Sequence, residues 1–166
     1  MRVSNVTPTA QVRGGGALKE LVGSGDRIAL FALPFTILGS AIQVADPDRL
    51  AFDGSSQPSR AIAIVASTVG GLIWAWSVGL ILAKVPKGDL ITTGPFAVVK
   101  HPVYTSVGLL VLPSLGILMG TWLGAIVGVA VYAGSRLFAP AEEAELRDRF
   151  GASWDAYARS VKLPWL

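Results

Sequence analysis

Four apolar runs divide the chain, at residues 28–45, 61–83, 104–119 and 122–138. The first two hold 18 and 23 residues without a charge. A membrane-crossing helix needs about 20 apolar residues, so both are long enough to span. Pro34 is expected to kink the first. The third and fourth runs are shorter, and at ~1.5 Å per residue each reaches about 24–26 Å. They cross only if the bilayer thins slightly or the helices insert deeply. Gly120 and Thr121 offer the turn between them, which makes the pair a helical hairpin. The alternative is one long buried helix broken at Pro113. The fold class expected is all-α: a polytopic membrane bundle of about four transmembrane helices, with short cytoplasmic C-terminal helices.

Small residues recur within these runs at spacings near four: Gly70, Gly71, Gly79, Gly108, Gly116, Gly120, Gly124 and Gly128. Such spacing lets membrane helices approach closely. Gly120, Gly124 and Gly128 share one face of the fourth run. This is a packing signal, and a catalytic role does not follow from it.

The flanks read differently. Residues 1–25 are polar and Gly-rich, without the apolar core of a signal peptide. They are expected to form a flexible arm, with a short interfacial helix near residues 17–22, ahead of a single domain at 26–166. After Pro140 the pattern becomes a charged amphipathic helix containing Glu142, Glu143, Glu145, Arg147, Asp148 and Arg149, closed by Gly151. Ser153 is placed to cap a second short helix carrying Asp155 in its first turn. Trp154, Tyr157 and Val161 give that helix an apolar stripe. The tail at 140–166 is expected at the membrane interface or folded over the inner mouth of the bundle.

Composition agrees with a bilayer as solvent. Hydrophobic residues make up 52% and charged residues 15%, where soluble chains carry about 25% charged. The net charge is +3, and the few basic residues flank apolar runs, which suits anionic headgroups and argues against nucleic acid. The arm, the loop at residues 84–103 and the tail hold most of the lysines and arginines. Only Arg49 and Arg60 fall between the first two runs. The charge bias puts both termini and that loop on the cytoplasmic side of a multi-pass protein of the cell (inner) membrane. There is no cysteine and one histidine, which rules out disulfides, a cysteine nucleophile and sites needing two histidines, so no metal is expected.

Candidate chemistry gathers in two cytoplasmic strips, the loop KGDLITTGPFAVVKHPVY at residues 87–104 and EEAEL at 142–146. His101 can handle a proton or bind a ligand, or can hydrogen-bond a loop carbonyl at the interface. Pro102 suits a first helical turn, whose free amides could receive a carboxylate. Glu142 and Glu143 can hold a cation or ribose hydroxyls, or can simply complement a helix dipole. Gly94-Pro95 is a turn on either reading.

The sequence TTGPFAVVKHPVY, an apolar hairpin, EEAEL, RFG, then Trp154 and Tyr157 resembles the isoprenylcysteine carboxyl methyltransferase family, similar in its C-terminal part to phospholipid methyltransferases. The family pattern runs approximately T-x-G-P-[YF]-x-x-x-R-H-P-x-Y, hairpin, E-E-x-x-L, F-G, then aromatics three apart. This chain supplies Thr92, Gly94, Pro95, Phe96, His101, Pro102, Tyr104, Glu142, Glu143, Leu146, Phe150, Gly151, Trp154 and Tyr157. The resemblance covers roughly residues 86–163. It implies a membrane methyltransferase using S-adenosyl-L-methionine on a lipidic or isoprenoid-type acceptor. It further implies that Gly88, Asp89, Leu90, Ile91, Phe96, His101, Pro102, Val103, Tyr104 and Glu142 bind the cofactor. His101, Tyr104 and Glu142 are the positioning candidates, with no general base assigned. Implied partners are the bilayer and a small lipophilic methyl acceptor. Lys100 stands where the family usually has arginine. Phe138 stands four before Glu142, where an arginine is associated with the carboxylate of a prenylated cysteine. A lipid amine, isoprenoid or small apolar acceptor therefore stands beside that one. Two other readings remain: an NADPH-dependent membrane reductase related to sterol reductases, and a non-catalytic membrane scaffold.

Overall fold

The computed structural model describes residues 24–54 and 56–164. The arm expected at residues 1–25, with its short helix at 17–22, lies almost wholly outside the described residues. Five helices carry the rest: α1 (Gly25–Ala45), α2 (Gln57–Lys84), α3 (Pro102–Met119), α4 (Leu123–Phe150) and α5 (Ala152–Ser160). The first four are long and apolar enough to cross a membrane. They form a row in the order α1, α4, α3, α2, each packing chiefly on its neighbour. Their outward faces stay apolar: Leu30, Leu38, Ile62, Val65, Leu72 and Trp76 are all exposed. Lipid solvates such a surface where water would not.

Each boundary has a local cause. Ser56 accepts a hydrogen bond from the Ser59 amide at 3.4 Å, with Pro58 in the first turn, and so starts α2. Pro102 opens α3 with His101 as its cap residue. Within α3, residues Val107–Val111 widen into a π-turn just ahead of Pro113. Proline has no N–H to complete the regular ladder, and the wider turn absorbs the loss. Gly120 then ends α3 in the left-handed region, at φ 67°, its amide reaching back to Gly116 and Ile117. The chain reverses there, so the hairpin forms and the single long helix does not.

At this far end the residues after α1 lie against the α3–α4 turn. Phe52 N–H donates to Gly120 O and Trp122 N–H to Leu50 O, both at 2.8 Å. The Phe52 and Trp122 rings meet edge to face at 4.9 Å. The opposite end gathers the start of α1, the loop after α2, the start of α3 and the tail. The two candidate strips thus share one end of the bundle.

Three expectations are corrected. The amphipathic segment after Pro140 is no separate helix, because α4 runs unbroken from Leu123 to Phe150 with Pro140 inside it. Pro140 and Arg136, whose carbonyl loses its partner, are both exposed, so polar surroundings can serve that carbonyl. Ser153 does not cap α5. Gly151, at φ 53°, both ends α4 and precedes α5. The glycines also divide by role. Gly108, Gly116, Gly124 and Gly128 face one another across the α3–α4 contact, where an added Cβ would strike opposing backbone. Gly71, Gly79 and Gly120 face open space, and Gly120 serves the turn instead.

This division is testable. Gly124→Ala should lower stability by about 1–3 kcal/mol through overpacking, whereas Gly79→Ala, with open space around the added methyl, should leave it unchanged or raise it by up to about 1 kcal/mol. Denaturant unfolding in mixed micelles distinguishes the two, and equal losses would contradict the packing assigned here.

Candidate functional site

The loop between α2 and α3 is shaped before it meets any ligand. Gly88 takes a left-handed conformation, φ 75°, and its amide closes a turn onto Val85 O at 3.0 Å. Gly94, at φ 63°, lies where a Cβ would come 3.1 Å from the Trp76 indole. Glycine is required there on both counts. The turn Gly94–Ala97 then buries Pro95 and presents Phe96. The tail holds the loop from outside. Tyr157 O–H donates to Phe96 O at 3.0 Å, and Leu163 N–H donates to Val98 O at 2.8 Å. Trp154, Tyr157 and Val161 are buried together, with Leu90, Leu146 and Phe150 packed on them. The expected apolar stripe of α5 is therefore the seal between tail, loop and α4.

Two adjacent acids on α4 fasten the remaining pieces. Glu143 takes Lys100 Nζ at 2.7 Å on one oxygen and His101 Nε2 at 3.2 Å on the other. An ionised carboxylate only accepts, so the His101 proton facing it sits on Nε2. The imidazole is 9% exposed, leaving Nδ1 as its only atom for a ligand. Glu142 turns the other way: Ser24 Oγ donates to its Oε2 at 2.6 Å and Ser24 N–H to the same oxygen at 3.2 Å. The acid pair read together in the sequence is thus split, with Glu143 bracing the loop and Glu142 joined to the start of α1.

Between these parts lies a cavity of about 460 Å³, within the roughly 300–1,000 Å³ usual for small-molecule and cofactor sites. Gly88, Asp89, Leu90, Ile91, Phe96, His101, Pro102, Val103, Tyr104 and Glu142 all line it. Glu143 and Phe138 do not line it. Phe138 instead packs on Phe31 of α1, ring to ring at 6.2 Å.

A family model for the isoprenylcysteine carboxyl methyltransferase (ICMT) family matches residues 56–148. The chain belongs to this family. As an ICMT-family protein it is a membrane methyltransferase. The match takes in α2, α3 and most of α4, so it begins earlier than the motifs alone reached and leaves α1 and α5 outside. No similar protein was found among curated proteins or among solved structures.

Several residues of this ICMT-family cavity were not singled out as binding residues from the sequence. Val78, Ile81 and Leu82 of α2, with Val85 just past its end, form an apolar wall, and Glu145, Leu146 and Arg149 continue the Glu142 face of α4. The α4 residues carried a usable signal. Positions 142, 145, 146 and 149 follow the spacing of one helical face. The α2 wall and Ser24 carried none, because an apolar residue in a span and a serine beside glycines are ordinary.

The Tyr157 seal has a pH signature. Burial pushes its hydroxyl up from 10.0 to about 12, and the nearby charge of Glu143 adds to the rise. Below pH 10 folded and unfolded chains both keep the proton. Above it the unfolded chain ionises first, so this contribution to stability fades as pH climbs from about 10 to about 12. Tyr157→Phe should cost about 1 kcal/mol by leaving Phe96 O without this donor, and should flatten that alkaline loss in pH-dependent unfolding. An unchanged profile would count against the seal.

Proposed function

We propose that this chain transfers a methyl group from S-adenosyl-L-methionine to a lipophilic acceptor drawn from the bilayer, at the cytoplasmic face. The observation that carries the reading is the meeting of all ten family-implied residues around one cavity that also has an apolar α2 wall. The chemistry of that lining suits the cofactor. Asp89, Glu142 and Glu145 stand against Arg149 and Lys100, and Lys100 is already engaged by Glu143. The acidic excess favours a ligand carrying cationic centres. Phe96, Tyr104 and Trp154 offer aromatic faces to a cation.

Bound S-adenosyl-L-methionine would supply an activated methyl group on a sulfonium. The residues of the chain have positioning and water exclusion to perform. Glu142 would hold the ammonium or ribose hydroxyls, His101 Nδ1, an acceptor in that tautomer, would take a ligand N–H or O–H, and the free amides at the start of α3 would take the carboxylate. Leu90 and Ile91 would flank the adenosine. The tail seal keeps solvent from the loop side. On the other side Leu82 is 60% exposed, so the apolar wall reaches the lipid-facing surface of α2 and suits the acceptor's apolar part. With Phe138 turned onto Phe31, no arginine occupies the place tied to a prenylcysteine carboxylate. A lipid amine, isoprenoid or small apolar molecule is therefore as suitable an acceptor. The basic residues Lys84, Lys87, Lys100, Arg147, Arg149, Arg159 and Lys162 lie at the cavity end, against Arg49 and Arg60 at the far end. This bias supports the cytoplasmic assignment.

Calorimetric titration of the protein in nanodiscs with S-adenosylhomocysteine, S-adenosylmethionine and NADPH tests the reading. Both methyl-cofactor species should bind and NADPH should not. His101→Ala and Glu142→Ala should each weaken S-adenosylhomocysteine at least about tenfold, the worth of a charge-assisted hydrogen bond. Arg147→Ala, whose side chain pairs with Asp155 at 2.9 Å away from the cavity, should leave it unchanged. Binding of NADPH alone, or equal effects at all three positions, would overturn the proposal.

A further inference from the structure

We infer that Ser24 is a positioning residue for the cofactor acid Glu142, supplied by a part of the chain outside the family match. The inference rests on the cofactor reading above. Ser24 is the residue before α1 and is only 7% exposed. In that place a serine ordinarily turns its hydroxyl onto its own helix, satisfying a first-turn amide. Here it makes no such cap. Its hydroxyl and its backbone N–H both donate to Glu142 Oε2, at 2.6 and 3.2 Å. The carboxylate of one helix thus sits at the N-terminus of another, where the dipole favours negative charge.

The consequence for the cavity follows from which oxygen is held. Both donors converge on Oε2, while Oε1 has no protein donor among the described residues. A two-point grip on one oxygen fixes the side chain and leaves the other oxygen for a ligand. Glutamate otherwise loses substantial rotamer freedom when a ligand orders it. A carboxylate held beforehand avoids that loss, which is the general advantage of preorganisation. Ser24 itself does not line the cavity, and it acts through Glu142.

The same bonds also help dock α1 on α4, so the test must separate orientation from docking. Phe31→Ala removes the Phe31–Phe138 contact between those helices without touching Glu142. S-adenosylhomocysteine affinity and thermal unfolding are measured for the wild type, Ser24→Ala, Ser24→Thr, Ser24→Cys and Phe31→Ala, each as the full chain in nanodiscs. Ser24→Ala should weaken binding about tenfold, and Ser24→Thr, which keeps the hydroxyl, should stay within about twofold of wild type. Ser24→Cys, a near-isostere with a weak donor, should fall between and reports if the alanine variant does not fold. Phe31→Ala should lower the unfolding midpoint yet bind within about twofold of wild type. Wild-type affinity in Ser24→Ala or, if that variant does not fold, in Ser24→Cys would overturn the inference, as would an equal loss in Phe31→Ala. Failure of the wild type itself to bind would instead sink the cofactor reading, and this inference with it.

Discussion

Two neighbouring carboxylates near the end of α4 pin the loop and the head of α1 to the same end of the bundle. A carboxylate at the edge of an apolar bundle is costly unless donors satisfy it. Glu143 finds them in Lys100 and His101 of the loop, and Glu142 finds them in Ser24 at the head of α1. These bonds bring the loop and the first helix onto the end of the bundle, and the cavity is the space left between. Position on the helix decides the split, because successive residues on a helix point about 100° apart. One acid therefore braces the wall while its neighbour faces inward.

This arrangement depends on α4 being long. At ~1.5 Å per residue its 28 residues extend about 42 Å, more than the ~30 Å hydrocarbon thickness of a bilayer. The last turns project beyond the apolar zone and carry Glu142, Glu145 and Arg149 into the polar region while remaining one rigid rod. A break at Pro140 would have left those residues on an independent segment. The glycine contacts of Gly108 and Gly116 with Gly124 and Gly128 fix the rod's height against α3. Pro102 and His101 at the head of α3 thereby face the acids from a backbone that cannot slide. Precision at the polar end is inherited from backbone packing within the membrane.

The cavity then divides its work between a polar side and an apolar one. Loop, α3 head and α4 face supply charge and hydrogen bonds, whereas the last turns of α2 supply hydrocarbon. The tail helix seals the loop from outside with Trp154 and Tyr157. On the proposed function, a polar donor and a lipid-dissolved acceptor would each approach such a site from the phase in which it is soluble.

Four spans, their common basic end and the two polar strips could be read from the residues, because lipid imposes long uniform runs and headgroups impose flanking charge. The motif from Thr92 to Tyr104 and the acids at 142 and 143 likewise marked the two strips that meet at the cavity, with Glu142 in its lining and Glu143 bracing the loop behind it, since helix starts, turns and carboxylates have local signatures. Three things had none. Gly79 and Gly124 sit in similar spacings, and only the neighbour across the helix separates an empty face from a contact. Pro140 reads as a stop, and only its exposed setting lets the helix pass through. Ser24 and Glu142 lie 118 residues apart, and nothing in a serine next to glycines announces a carboxylate from another helix. Local pattern determined what each segment is. Which atoms face each other was decided by packing, because contact depends on direction and distance in three dimensions, and a linear order carries neither.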